Sequence, residues 1–245
     1  MIAIILAGGK GERLKPFTED RPKALLPIGK KTVIDYTVDK VGRLHAIEES
    51  LILINPKFQR QFKEWLKNRG LSNVQIIPDK KEKVGAIKAL ADAVRSNPDE
   101  DFLVLCSDNI FDDSLTDFLN FFHEKNRSPV MALYHAKTLD ETKQGSNVII
   151  DSDNRISEFE EKPVFPKTIL VGACIYAFPK EISQRFKEYL KTGLGIDEPG
   201  RFIEWLHKKE IVYGYELKGN LTDVGTVESY MEICETGRAK KRTQF

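Results

Sequence analysis

The first 23 residues constrain the fold more than any other part of the chain. An apolar run, MIAIILA, ends abruptly in a glycine-rich loop with two cations downstream: Gly8, Gly9, Gly11, Arg13 and Lys23. The run is rich in isoleucine and too short to span a membrane, so it predicts a buried strand. Closely spaced glycines allow a tight turn that brings backbone N–H groups close to a ligand. A strand, a bare loop and two cations together indicate a cradle for a polyphosphate.

Two widespread glycine motifs fit this loop poorly. The dinucleotide-binding pattern GxGxxG would need a third glycine where Leu14 stands and an acid after the second strand, where Asn55 stands. A P-loop would need a glycine at Ala24 and a serine or threonine at Lys31. A turn without a ligand explains the glycines, but it does not require the two cations.

The segment LAGGKGERLKPFTEDRPKALLPIG resembles the signature of the sugar-1-phosphate nucleotidyltransferases. This family includes glucose-1-phosphate thymidylyl- and uridylyltransferases and mannose-1-phosphate guanylyltransferases. Later segments extend the resemblance over nearly all of the chain, which is most similar to short, glucose-1-phosphate thymidylyltransferase-like members. We therefore expect no C-terminal left-handed β-helix extension.

Composition narrows the classes of protein further. The chain has 245 residues, enough for one large α/β domain or a core with an added lobe. Its 38 basic and 37 acidic residues nearly cancel, which disfavours a nucleic-acid partner. The basic run at residues 238–242 is expected to be a solvated tail. No stretch reaches membrane-spanning length and no basic segment precedes the first apolar run, so we expect a cytoplasmic protein without a membrane partner.

The three cysteines, Cys106, Cys174 and Cys234, form no CxxC pair. Their wide spacing and mostly apolar surroundings favour free, buried side chains over disulfides, zinc ligands or nucleophiles.

Short apolar runs alternate with amphipathic stretches in the first half of the chain. The predicted strands are residues 2–7, 50–54, 74–77 and 102–106, and the predicted helices are 32–44, 56–68, 86–95 and 115–125. This order indicates a Rossmann-like α/β fold, an open, mostly parallel mixed sheet flanked by helices. From residue 129 strands dominate, at 129–135, 148–151, 155–160 and 169–178. Helices return at 179–190, 201–207 and 227–235, with a strand at 212–217 between the last two. We predict one nucleotidyltransferase domain over 1–245, with a nucleotide-binding core (1–128) and a strand-rich sugar-phosphate-binding lobe with the final helices (129–245).

Several polar residues directly follow predicted strands. Gly8, Asn55, Asp79 and Asp108 each stand at the carboxyl end of a strand. Ligands of open α/β sheets bind beyond these ends, so we expect the four residues on one edge of the sheet.

Two aspartates are candidates for a metal site. Asp108 follows the strand FLVLC, and Asp223 lies in LTDVGT just before a helix. Either alone is typical of a turn or a helix cap, but together in a polyphosphate-binding fold they suit Mg²⁺. The resemblance implies the same role, since family members hold the metal with a strand-end Asp and a DxGT segment. The neighbouring Asp112 and Asp113 are expected to begin the next helix.

The resemblance also implies the rest of the site. Arg13, Lys23, Asp108 and Asp223 would form the catalytic set. Glu161 would bind sugar hydroxyls and Lys162 the sugar phosphate. The nucleotide-binding residues would be Leu6, Ala7, Gly8, Gly9, Gly11, Arg13, Lys23, Asp79 and Gly85, and the sugar-phosphate-binding residues Gly145, Glu161, Lys162 and Gly172.

The expected activity is Mg²⁺-dependent transfer of a nucleotidyl group from an NTP to a sugar-1-phosphate, with dTTP or UTP and glucose-1-phosphate as the first choice. The family pattern is altered at Glu12, Ser107, Gln144 and Leu221. One alternative is a choline- or inositol-phosphate type acceptor, although the intact Glu161-Lys162-Pro163 favours a sugar. Another is a non-catalytic regulatory subunit that senses nucleotide-sugar. Homo-oligomerisation is left open.

Overall fold

The computed structural model describes residues 1–81 and 84–236. Its centre is a seven-stranded, mostly parallel sheet flanked by helices, with the strand order β12-β8-β11-β6-β1-β4-β5, and this confirms the predicted fold class. The strands are β1 (Ile2–Ala7), β2 (Pro27–Ile28), β3 (Lys31–Thr32), β4 (Glu49–Ile54), β5 (Val74–Pro78), β6 (Phe102–Cys106), β7 (Asn109–Phe111), β8 (Val130–His135), β9 (Ser146–Ile150), β10 (Ile156–Glu161), β11 (Leu170–Phe178), β12 (Tyr213–Glu216) and β13 (Leu221–Asp223). The helices are α1 (Val33–Val41), α2 (Gln59–Arg69), α3 (Ala86–Arg95), α4 (Leu115–Glu124), α5 (Leu139–Thr142), α6 (Ile182–Leu190), α7 (Pro199–Leu206) and α8 (Val227–Thr236).

The long periodic elements agree with the sequence prediction. β1, β6 and α3 have the predicted bounds, and the other predicted helices and strands differ by a few residues at their ends. The sequence did not predict the short elements β2, β3, β7, β13 and α5. Segments of two to four residues are too short to carry a periodic pattern of apolar residues.

Contacts divide the chain into two compact units. The first comprises the described residues of 1–84, Leu105–Leu115 and the described residues from Gly219 onward. In this unit β1, β4 and β5 run parallel, with Ile5 opposite Ile52 and Ile52 opposite Ile76. Because parallel strands share a direction, their carboxyl ends meet at one edge.

The second unit comprises Gly85–Val104 and Thr116–Lys218. Here β8 pairs antiparallel with β11 and parallel with β12, while β9 and β10 form a separate antiparallel hairpin. A short turn joins β9 and β10, with Asn154 in the left-handed region at φ 65°. Phe202 stacks on Phe186 with ring centroids 4.0 Å apart, as expected for a core residue. The predicted boundary at residues 128 and 129 stays a prediction.

The expectation of free, buried cysteines is wrong at all three positions. Cys106 and Cys174 are disulfide-bonded, whereas Cys234 carries a free, exposed thiol. Pairing depends on where the fold places the Cβ atoms, and spacing along the sequence does not report this.

The basic run at residues 238–242 lies outside the described residues, as do residues 82 and 83. Across 1–81 and 84–236, the helices all lack the length and apolar character needed to cross a membrane.

An apolar cluster in the first unit, which we call the loop cluster, lies beneath the glycine-rich loop. Leu14 and Val224 are fully buried in it, and the Tyr230 hydroxyl donates a hydrogen bond of 2.7 Å to the Pro27 carbonyl. The cluster joins four separate segments of the chain. Its members are Leu14, Leu26, Ile28, Val33, Ile110, Val224, Tyr230 and Ile233.

We expect Leu14→Ala to lower the free energy of unfolding by about 3 kcal/mol, because it leaves a cavity where the side chain is fully buried. Urea denaturation followed by circular dichroism measures this loss. The matched control is Leu139→Ala, at a side chain that is 47% exposed, which should change stability by less than about 0.5 kcal/mol. Equal losses in the two variants would contradict the assigned packing.

Candidate functional site

The predicted edge of the sheet is present in the first unit. The Asp79 N–H donates to the Ile54 carbonyl at 2.9 Å, and the Ser107 N–H donates to the Leu6 carbonyl at 3.0 Å. A Cβ built on Gly8 would lie 3.6 Å both from the Asn55 nitrogen and from the Asp79 carboxylate. The segments that follow the strands therefore meet, as the sequence predicted, with Leu6 and Ala7 ending β1 beside them.

The glycine-rich loop requires a glycine at position 11. Gly11 has φ +66°, and a Cβ there would lie 2.9 Å from the Thr18 methyl carbon. Its carbonyl accepts hydrogen bonds from the Leu14 N–H at 2.9 Å and from the Thr18 hydroxyl at 2.7 Å. The loop thus folds back on itself close to Lys23. A Cβ built on Gly11 would lie 3.3 Å from the Lys23 Cβ. Gly9, by contrast, faces open space.

Lys23 and Asp108 form an ion pair whose side chains are only 16% and 19% exposed. Burial disfavours the charge on Lys23, but the carboxylates of Asp108 and Asp223 outweigh it and raise the pKa of Lys23. Lys23 is therefore a fixed cation at neutral pH.

Arg13 and Asp223 meet at Gly225. A Cβ on Gly225 would lie 2.9 Å from the Asp223 carboxylate and 3.1 Å from the Arg13 guanidinium, so a larger residue there would shift one or both side chains. Many protein atoms surround the Asp223 carboxylate, although the residue remains exposed to solvent. Partial desolvation and the nearby Asp108 charge raise the pKa of Asp223, and Lys23 and Arg13 oppose that shift.

The four residues predicted as catalytic therefore form one charged cluster. Its two carboxylates lie at one end of a ribbon of two strands that was not predicted from the sequence: Asp223 ends β13, and Asp108 directly precedes β7. β7 and β13 pair antiparallel, with Asp223 opposite Asn109, and the Val224 N–H donates to the Asp108 carbonyl at 2.9 Å. Each strand has three residues, so no periodic signal in the sequence could have revealed the pairing.

The magnesium site predicted at Asp108 and Asp223 stays a prediction, and the chemistry of the two side chains can be compared with what Mg²⁺ requires. Among the described residues there is no group of three or more His, Cys, Asp or Glu side chains that could hold a metal ion. Asp108 and Asp223 nevertheless face cations, and the charge of Asp108 raises the pKa of its partner. Mg²⁺ is commonly bound by one or two carboxylates together with substrate phosphates, so this pair suits it.

The altered residue Glu12 does not leave an unpaired charge at the loop. Its carboxylate forms an ion pair of 2.7 Å with Lys15. The hydrogen bond and charge of Lys15 hold the pKa of Glu12 below its usual range, with Lys10 and Lys57 acting in the same direction.

The predicted sugar-phosphate residues come together in the second unit. The Lys162 N–H donates to the Gly145 carbonyl at 2.7 Å, with Lys162 in the left-handed region at φ 53°. The Gly172 N–H donates to the Ser146 hydroxyl at 2.9 Å. A Cβ on Gly172 would lie 2.0 Å from the Met131 methyl, so a larger residue there would require the Met131 side chain to move.

Glu161 lies against the start of α7. A Cβ on Gly200 would be 1.9 Å from the Glu161 carboxylate oxygen, so that carboxylate packs directly on the Gly200 backbone. Burial raises the pKa of Glu161 to about 7, against the opposing charges of Arg201 and Lys162. The Lys162 ammonium forms an ion pair with Glu198 at the N-cap of α7. Sequence analysis missed Gly200 and Glu198, although Pro199-Gly200 signals the start of a helix.

Gly85 also lies in the second unit, where it opens α3 at φ +86°. A Cβ there would lie 2.9 Å from the Ile196 carbonyl oxygen, so the position requires glycine. This close approach accounts for the glycine without a ligand, and its nucleotide-binding role stays a prediction.

Fold and site together define an α/β protein with a glycine-rich loop beside paired cations and carboxylates. Residues 2–239 match the family model described as Nucleotidyl transferase, and the chain belongs to that family.

Individual relatives agree with this assignment. The chain is 33% identical over 231 residues to the bifunctional protein GlmU of Methanocaldococcus jannaschii, covering 92% of this chain and 51% of that protein. It is 30% identical over 258 residues to the glucose-1-phosphate adenylyltransferase of Clostridium acetobutylicum, covering 95% of this chain and 66% of the relative. The chain thus spans about half to two thirds of the length of these relatives.

Solved structures share the fold. A candidate glucose-1-phosphate thymidylyltransferase of Bacillus anthracis superposes with a TM-score of 0.86 at 24% identity, over 100% of this chain and 98% of that one. A UDP-glucose pyrophosphorylase in complex with UDP-glucose gives 0.81 at 21% identity, over 96% and 97% of the two chains.

The raised pKa of Glu161 predicts a pH-dependent stability. The folded protein holds a proton on Glu161 up to about pH 7, whereas the unfolded chain releases it near the ordinary value of 4.5, so stability falls as pH rises between these values. Glu161→Gln removes this contribution. In urea titrations, the free energy of unfolding of the variant minus that of the wild type should increase by on the order of 1–2 kcal/mol from pH 5 to pH 8.

The matched control is Glu160→Gln at the exposed neighbouring side chain, which should track the wild type at both pH values. A wild-type pH profile in Glu161→Gln would show that the carboxylate is not desolvated.

Proposed function

We propose that this chain transfers a nucleotidyl group from an NTP to a sugar-1-phosphate, giving NDP-sugar and pyrophosphate. The observation that carries the proposal is the clustering of Arg13, Lys23, Asp108 and Asp223 beside the glycine-rich loop, at the edge where such sheets bind ligands. Membership of the nucleotidyl transferase family supports it.

In the proposed reaction an oxygen of the sugar phosphate attacks the α-phosphorus of the NTP in line. A new P–O bond forms, and the bond from the α-phosphorus to the bridging oxygen breaks, so that pyrophosphate leaves with the electron pair. No covalent intermediate on the protein is required, and catalysis consists of positioning and charge neutralisation.

The residues of the cluster have distinct proposed roles. Lys23, held by Asp108, offsets charge that builds up at the α-phosphate, and the exposed guanidinium of Arg13 binds the phosphates that leave. Asp108 and Asp223 would hold Mg²⁺, which supplies a Lewis acid for phosphate oxygens when bound.

In the second unit, Lys162 would bind the sugar phosphate and Glu161 the sugar hydroxyls, with Gly145 and Gly172 allowing the backbone close to the sugar. The Lys162 ammonium exchanges the Glu198 carboxylate for the phosphate in this scheme. Because the exposed ion pair is weak, the exchange costs little.

We propose glucose-1-phosphate with dTTP or UTP as the first substrates to test. A relative named glucose-1-phosphate adenylyltransferase supports this sugar phosphate and adds ATP to the panel. A negative charge at Glu12 would argue for the non-catalytic alternative, because it would repel phosphates. The ion pair of Glu12 with Lys15 weakens that argument. A cytoplasmic location, where NTP pools are maintained, is part of the proposal.

The first experiment measures pyrophosphate release with Mg²⁺, each NTP or dTTP in turn and a panel of sugar-1-phosphates and phospho-alcohols. We expect release with one sugar-1-phosphate. With that pair, Lys23→Ala should lower kcat about a hundredfold, because it removes an oriented charge from the transition state.

The control is Lys30→Ala, at an exposed lysine nearby, which should keep the wild-type kcat. A wild-type kcat in Lys23→Ala would refute the assigned mechanism. Pyrophosphate release with a phospho-alcohol but with no sugar-1-phosphate would show that the acceptor is a phospho-alcohol.

Lys162→Gln tests the sugar-phosphate site. Loss of a charge-assisted contact to the phosphate should raise KM for the sugar-1-phosphate about tenfold while KM for the NTP stays within twofold. Lys167→Gln is the matched control, because Lys167 is also exposed and paired with a glutamate, Glu158. Equal KM values in the two variants would argue against this site.

A further inference from the structure

The two carboxylates assigned to Mg²⁺ depend on a very small piece of sheet. β7 and β13 pair over three residues each, apart from the main sheet. A two-stranded ribbon is marginally stable by itself in water. A slip by one residue would turn every side chain of a strand to the opposite face and move Asp223 away from Asp108. The register of this ribbon therefore needs support from elsewhere in the unit.

Lys40, on α1, reaches the end of the ribbon that is remote from the carboxylates. Its ammonium donates to the Asp112 carbonyl at 3.1 Å and to the Asp113 carbonyl at 2.9 Å. It also lies 4.8 Å from the ring centroid of Phe111, the last residue of β7. Three contacts thus fasten this end of β7 to α1.

Asp112 and Asp113 in turn hold the other strand. The Asp113 carboxylate accepts from the Gly219 N–H at 2.8 Å, and the Asp112 carboxylate accepts from the Asn220 side chain at 2.9 Å. The Asp112 N–H donates to the Asn220 carbonyl at 3.0 Å. The expectation that these aspartates begin a helix is wrong, because α4 begins at Leu115 and their carboxylates bind the segment before β13.

We propose that Lys40 is a positioning residue for the metal carboxylates. By fixing the backbone of Asp112 and Asp113, it sets the register in which Asp223 stands opposite Asn109, next to Asp108. Lys40 acts through the ribbon and does not touch substrate. The inference rests on the proposed function, since it concerns the Mg²⁺ site of that reaction.

The test compares Lys40→Met, which keeps the side-chain length and removes the ammonium, with Lys31→Met. Lys31 is a matched control, because it also forms a close ion pair, 2.7 Å from Asp39, and lies 5.3 Å from the ring centroid of Tyr36. Its contacts are with residues of α1, so its loss leaves the ribbon untouched.

Two quantities are measured: the dissociation constant of Mn²⁺ alone, by electron paramagnetic resonance, and the Mg²⁺ concentration that gives half-maximal pyrophosphate release. We expect both to rise about tenfold in Lys40→Met, as is typical when support of metal ligands is lost. KM for the sugar-1-phosphate should stay within twofold. Lys31→Met should match the wild type, and Lys40→Arg, which can donate to the same carbonyls, should recover most of the metal affinity.

Unchanged Mn²⁺ affinity and Mg²⁺ requirement in a folded Lys40→Met would overturn the proposal, as would equal losses in Lys31→Met. If Lys40→Met does not fold, Asn220→Ala replaces it and should show a smaller shift in the same direction. If no substrate pair turns over in the wild type, the proposed function fails, but the Mn²⁺ comparison still decides whether Lys40 positions the carboxylates.

Discussion

Burial of the apolar residues next to Arg13 and Asp223 is the interaction on which the site of the first unit depends. Arg13 is followed by Leu14 and Asp223 by Val224, and both neighbours are fully buried in the loop cluster. Within the charged cluster the two cations repel each other, as do the two carboxylates. Each buried aliphatic side chain contributes about 1.5–3 kcal/mol. Together with the ion pair between Lys23 and Asp108, this burial offsets the repulsion between like charges.

The sequence predicted the parts of the molecule that repeat a pattern or carry a motif. β1 and α3 have periodic apolar positions long enough to set their bounds, and strand ends pointed to Gly8, Asp79 and Asp108 at one edge. These are local signals. The order of strands in a parallel sheet then places the ends together without further information.

The features that escaped prediction all depend on contacts between residues distant in sequence. Nothing local indicates that Asp113 will bind Gly219, or that Glu161 will pack on Gly200. The desolvation of Glu161 follows from that packing, so its raised pKa could not be predicted from the sequence either. The cysteine prediction failed for the same reason, since composition of the flanking residues does not report which side chains become neighbours.

The separation of the carboxylate ribbon from the main sheet has a consequence for divergence within such a family. The glycine loop and the ribbon are different segments of the first unit, and the loop cluster and the charged cluster join them. In the proposed site, substitutions around residues 112 and 219 would change the preferred metal ion while the glycine loop keeps its shape. Metal preference and nucleotide preference would then be separately heritable traits, open to independent selection.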